Sequence, residues 1–173
     1  PSHAVMLAIL PLRKMGNDVS NHSTNIIKPL PDECDQTEFR QLFADAFFDT
    51  IEYCGWPQQD KTEAAYKSIE RFFAGKDGPI NPASRIAVTH DGALVGAMLI
   101  SDAEPSDYNF RDIPGPMQQM LMIAPQHQRQ GLACAMLAGA AATLRDLDQR
   151  ILRSMYVLGN EPSRSWHRRM GFE

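Results

Sequence analysis

Residues 117–137, MQQMLMIAPQHQRQGLACAML, carry the densest chemical signal in the chain. Met120, Leu121, Met122 and Ile123 form an apolar run closed by Pro125, the pattern of an inner strand. Residues 126–130 are too polar for a core. From Gly131 a helical period begins, with Leu132, Met136, Ala140, Leu144 and Leu147 on one face. A polar turn thus delivers the chain into a helix N-terminus. Unpaired N–H groups and a partial positive charge there suit an anion, and a diphosphate suits them well. Gly131 and Ala133 lack bulk, so a phosphate can approach the backbone closely. The spacing Gln128-x-x-Gly131-x-Ala133 is not a P-loop, because no Gly-Lys-Ser/Thr follows. It is not the three-glycine dinucleotide fingerprint either. An ordinary strand–helix turn with one glycine reads the same way, so the flanking elements decide.

Composition narrows the class. The chain has 173 residues, 43% hydrophobic and 22% charged, which suits one domain with a sizeable core, residues 1–173. No apolar run approaches the ~20 residues of a membrane span. Net charge is −4 without a long basic block, which disfavours nucleic acid as a partner. Cys34, Cys54 and Cys134 are odd in number and lack metal-type spacing, so a reducing cytoplasm is expected. The five histidines include no His-x-x-x-His pair, and no metal site is expected.

The elements that must position the loop follow from periodicity. Residues 4–12, AVMLAILPL, are apolar enough for a strand, and Pro11 restricts it to an edge or an end. A signal-peptide core is the alternative, disfavoured because no basic segment precedes it. A polar stretch leads to a short strand at 25–30, ended by Pro29 and Pro31. Asp35 and Glu38 resemble a capping box, after which Phe39, Phe43, Phe47 and Ile51 recur every four residues. Gly55, Trp56 and Pro57 break that helix. Asp60 and Glu63 form a second cap-like pair, Ala65, Ile69, Phe72 and Phe73 an apolar face, and Gly75 a C-terminal cap. Residues 85–100 read as a hairpin with a two-residue turn at Asp91-Gly92. Gly96 inside the return strand marks a bulge or a close backbone approach. Residues 151–158 form another strand. Asn160 then caps a last helix, with Pro162 in its first turn and Gly171 at its exit.

Taken together, these motifs resemble the GNAT superfamily of N-acetyltransferases over residues 25–172. The likeness rests on Leu121-x-Ile123-x-Pro125, the loop Gln128-x-x-Gly131-x-Ala133, Asn160 after a strand, the Gly171-Phe172 ending, and the order of elements. It implies an α/β (α+β) fold, a central mixed, mostly antiparallel sheet with helices on both faces. It implies acetyl-CoA as cofactor. The backbone of Leu121, Met122 and Ile123 would pair with the pantetheine arm. Amides of Arg129, Gln130, Gly131, Leu132, Ala133 and Cys134 would cradle the diphosphate, with Gln128 opening the loop. Asn160 would hold the pantetheine end, and the gap between strands 117–124 and 151–158 would admit the amine. Tyr53 and Trp56 would stand near the acceptor.

Departures from the family pattern bear on mechanism and architecture. Four residues before the Gly of Gly-Phe the family places a tyrosine that protonates the leaving thiolate, and here His167 stands there. With a reference pKa of ~6.5, histidine can give a proton near neutrality. A surface histidine is the plain alternative. Met155 occupies the place of a common general-base carboxylate, which leaves Glu52, Asp102 or Glu104 to take the amine proton through water. The family also has two further strands after Gly-Phe. Residues 4–12 resemble its last strand, so they are expected beside 151–158. The expected activity is transfer of acetyl from acetyl-CoA to a primary amine. The alternative is a catalytically weak acyl-CoA-binding sensor. A small-molecule or peptide amine is the expected partner, with no nucleic acid and no membrane, and a homodimer is left open.

Overall fold

The computed structural model describes residues 4–14, 24–102 and 113–173. Glu104 and the polar linker after the first strand lie outside them. Six strands of the described residues form one sheet: β1 (Val5–Pro11), β2 (Ile26–Pro29), β3 (Arg85–Val88), β4 (Leu94–Ser101), β5 (Met117–Ile123) and β6 (Ile151–Val157). Among the described residues four α-helices accompany them: α1 (Gln36–Phe47), α2 (Gln58–Phe73), α3 (Leu132–Asp146) and α4 (Glu161–Arg169). The strand order is β1-β6-β5-β4-β3-β2. Every neighbouring pair is antiparallel except β5 and β6, which the α3 crossover makes parallel. Both edge strands end on a proline, Pro11 and Pro29, where a missing N–H costs no ladder bond.

Two apolar clusters sandwich the sheet. On one face α1 and α2 bring Phe39, Phe43, Ile69 and Phe72 against Leu99 and Met122. On the other, Met136, Leu137 and Leu144 of α3 and Phe172 pack against Leu10, Met98, Ile100 and Leu152. Helices on both faces were expected from the family resemblance. β1 lies beside β6 as expected, from Val5↔Val157 to Pro11↔Ile151. Its outer edge is bonded by the last residue, with Ile9 N–H to Glu173 O at 2.9 Å and Glu173 N–H to Ile9 O at 2.8 Å.

Several local expectations change. α1 stops at Phe47, and Ile51 is 43% exposed in the turns that follow, so the four-residue period outran the helix. The Asp35 side chain does cap α1, but it accepts from Thr37 N–H. α2 begins after Pro57 with no side-chain cap, so Asp60 sits in its first turn and is not its cap. Proline there fixes φ and sets the helix start before any carboxylate can. Leu147 is 46% exposed because α3 has already ended. The β3–β4 turn is wider than two residues, closing through Thr89 N–H to Ala93 O at 3.0 Å with Gly92 at φ 92°. Gly96 serves both expected purposes. The register shifts beside it, and a Cβ there would meet Ala87 Cβ at 3.2 Å.

Candidate active site

The site begins where β5 and β6 part. They pair only at Met117↔Arg153 and Gln118↔Ser154. Just beyond, the β4 register steps from Ile100↔Gln118 to Leu99↔Met120, a bulge at Gln119 that re-aims the β5 side chains. Ala124 donates its N–H to Val95 O, on the β4 side. By alternation Leu121 and Ile123 therefore turn their backbone groups toward β6, across the opened gap. A strand edge inside the sheet is thereby left for an extended ligand to bond.

The loop after β5 is built as its polarity suggested. A single 3₁₀ turn, Pro125–His127, precedes an extended Gln128, whose Nε2 donates to Ile123 O at 3.1 Å and ties the loop to the strand. Arg129 and Gly131 both take positive φ, 63° and 83°, and α3 starts at Leu132. Such alternation turns successive N–H groups to one side, a nest for an anion. Among the described residues, no turn or cap bond uses the N–H groups of residues 129–134. Gly131, Leu132, Ala133 and Cys134 thus form the open first turn, and Gln130 folds back to Gln126 O at 2.9 Å.

Past the loop, the parted strands open into a cleft of about 820 Å³, lined in part by Gln118, Leu121, Gln128, Met155, Tyr156, Asn160 and His167. No Lys or Arg lines it among the described residues, whereas Asp45, Asp49 and Glu52 do. Asn160 caps α4 by accepting from Ser163 N–H at 3.0 Å and donates to Glu52 Oε1 at 2.7 Å. It therefore joins α4 to the turns that follow α1, across the cleft. Of the three carboxylates considered as proton acceptors, Glu52 alone is brought in among the described residues. Asp102 accepts from Asn81 and does not line the cleft.

His167 is 4% exposed, not a surface residue. Its Nδ1 lies 2.7 Å from Ser163 O and its Nε2 2.9 Å from Ser154 Oγ. A carbonyl only accepts, so Nδ1 carries the proton, and in the neutral ring Nε2 accepts from the Ser154 hydroxyl. Ser154 in turn accepts from Gln118 Nε2 at 3.1 Å. Burial pushes the His167 pKa below its ordinary value, and the Ser163 carbonyl opposes this. The resting imidazole is therefore neutral at neutral pH. Tyr156, Trp166 and Phe172 hold the ring at centroid distances of 5.0, 4.9 and 4.9 Å.

Among the described residues, three shielded polar atoms around the cleft find no hydrogen-bond partner: Gln118 Oε1, Glu52 Oε2 and Trp166 Nε1. Sequence reasoning missed the Gln118–Ser154–His167 chain. Gln118 and Ser154 are 36 positions apart, and only the parallel register joins them. Tyr53 lines a side cavity of the cleft, while Trp56 packs on Tyr53 at 5.4 Å and lines neither space.

Residues 37–172 match the profile of the Acetyltransferase (GNAT) family, most of the described chain. The chain belongs to that family. As a GNAT acetyltransferase it shares its fold with solved structures of low identity. A protein of Pyrococcus horikoshii OT3 superposes with a TM-score of 0.64 at 15% identity, over 86% of this chain and 88% of that one. AAC(6')-Iy, solved with the bisubstrate analogue CoA-S-monomethyl-acetylneamine, gives 0.56 at 19% identity, over 87% and 92%. A tandem GNAT protein of the clavulanic acid biosynthesis pathway gives 0.60 at 17%, over 99% of this chain and 50% of that one. No curated protein sequence matches the acetyltransferase. Among the described residues, no helix is long and apolar enough to cross a membrane.

Proposed function

We propose that this acetyltransferase moves an acetyl group from acetyl-CoA directly to a primary amine. The observation that carries the reading is the parting of β5 and β6 onto a cleft edged by unpartnered, shielded polar atoms. Leaving such atoms unbonded costs about 1–3 kcal/mol each, so the cleft is complementary to a polar ligand. The residues present fit the cofactor. Leu121 and Ile123 would bond its extended arm, with Met122 between them paired to β4, the N–H groups of 129–134 would hold its diphosphate, and Gln128 and Asn160 would frame the two ends. When bound, acetyl-CoA supplies a thioester with an electrophilic acyl carbon.

The chain's own residues then attract, orient and move protons. Asp45, Asp49 and Glu52 favour a cationic acceptor at the cleft. His167 is the proposed proton carrier, acting through Ser154. When Nε2 takes a proton it must donate to Ser154 Oγ, so the hydroxyl hydrogen turns away from the ring and the buried pair holds the charge together. Holding the reacting groups between two strands supplies the rest through orientation.

A second reading, an acyl-CoA-binding sensor, draws on one observation: both His167 nitrogens are engaged and Met155 stands where a base would serve. Free-thiol release from acetyl-CoA, measured with a broad panel of amines, separates the two. Amine-dependent release is expected. Calorimetric binding of acetyl-CoA without release on any amine would overturn the transferase reading.

A further inference from the structure

Beside the main cleft lies a cavity of about 320 Å³, and Phe47, Glu52, Gln119 and Met120 line both spaces. Phe43 and Tyr53 wall the cavity, set edge to face at 5.7 Å. Ser68 and the Arg71–Asp77 ion pair complete it. Asp77 already has its counter-charge, whereas Glu52 Oε2 is shielded and unpartnered at the junction. Gln118, 6% exposed on the cleft wall, offers a second unpartnered acceptor, Oε1. An unpartnered carboxylate oxygen at this junction calls for a donor, and an ammonium supplies one with the matching charge. Aromatic faces next to the carboxylate add attraction for a cation. About 150 Å³ suffices to hold benzene, so the cavity admits a ring on a short arm.

We infer that the acceptor is a monocationic primary amine bearing one aromatic ring on a short alkyl arm. Its nitrogen is held by Glu52 at the junction and its ring by Phe43, Phe47 and Tyr53. This rests on the transferase reading of the same cleft. Asp45 and Asp49, exposed on the main cleft, repel amines that also carry a carboxylate.

The test is binding of 2-phenylethylamine by calorimetry to the wild-type protein, to Glu52→Gln and to Ser68→Leu. 2-Phenylethanol serves as the uncharged control, and spermidine and a lysine-containing peptide as rival acceptors. Glutamine keeps the shape of Glu52 and its acceptor for Asn160. It is expected to weaken the amine about tenfold or more and the alcohol less than about threefold, since only the amine loses a charge-assisted bond. Ser68→Leu fills the cavity and should weaken both. Tighter binding of spermidine or the peptide, or equal weakening of amine and alcohol in Glu52→Gln, overturns the inference. Thiol release is read in parallel. Release with other amines but not with 2-phenylethylamine leaves the transferase reading standing and removes this one. Selective binding of 2-phenylethylamine without release on any amine supports the amine pocket and removes the transferase reading.

Discussion

Burial of His167 ties stability to pH, and His167→Gln isolates the link. The folded pKa lies below the ordinary value of ~6.5, chiefly because the ring is desolvated. Between the folded pKa and ~6.5 the unfolded chain therefore binds more protons than the native one. Stability from this group is fully present above about pH 6.5 and is lost as pH falls through that window toward the folded pKa. One group can contribute a slope of at most ~1.4 kcal/mol per pH unit. For a chain of this length 1 kcal/mol is about 2–4 °C in Tm, so the wild type should lose up to roughly 3–6 °C per unit from His167. Glutamine does not titrate. It also forfeits ring packing against Tyr156, Trp166 and Phe172, about 1–3 kcal/mol that does not depend on pH. Thermal melts of both proteins from about pH 7.5 to about pH 5.5 read the difference in slope, in which all other titrating groups cancel. The Tm gap should be widest at the high end and shrink as pH falls. Parallel curves would refute the buried, neutral histidine and the proton chain built on it.

Three further outcomes are expected. Gly131→Val places a β-branched residue at φ 83°, where strain costs about 1–2 kcal/mol, and crowds the open N–H groups of 129–134. Acetyl-CoA affinity by calorimetry should fall about tenfold or more on a folded protein. Asn160→Ala removes the α4 cap and the donor to Glu52 Oε1. It should lower stability in urea unfolding by about 1–2 kcal/mol. Arg85→Met leaves the carbonyls of Pro82, Ser84 and Gly139 without their guanidinium donor, loosening α3 from β3. At about 1 kcal/mol or more for each, Tm should drop by roughly 6–12 °C.

Local physics made much of this molecule readable in advance. An apolar run ending at Pro125, polar residues up to Gln130 and a glycine at a helix start are contiguous, so strand, turn and α3 followed from neighbours alone. The Asn160 cap and the αL exits at Gly75 and Gly171 are equally local, because a cap bonds within its own turn. Pairing of residues 4–12 with 151–158 came from family pattern and not from propensity, since a strand's partner is not encoded beside it. Helix ends were the weak point. The period continued to Ile51 and Leu147, but the backbone had already turned. His167 and Glu52 were named in advance, but the partners they meet at the base of the cleft were not readable. Gln118, Ser154 and His167 meet because β5 and β6 run parallel in one register and α4 folds back over them. Glu52 meets Asn160 across 108 positions. Residue types fixed what each side chain could donate, accept or hold. Burial and register, which sum over distant segments, decided that His167 is neutral, that Asp102 stands apart, and that Glu52 keeps an oxygen for a ligand.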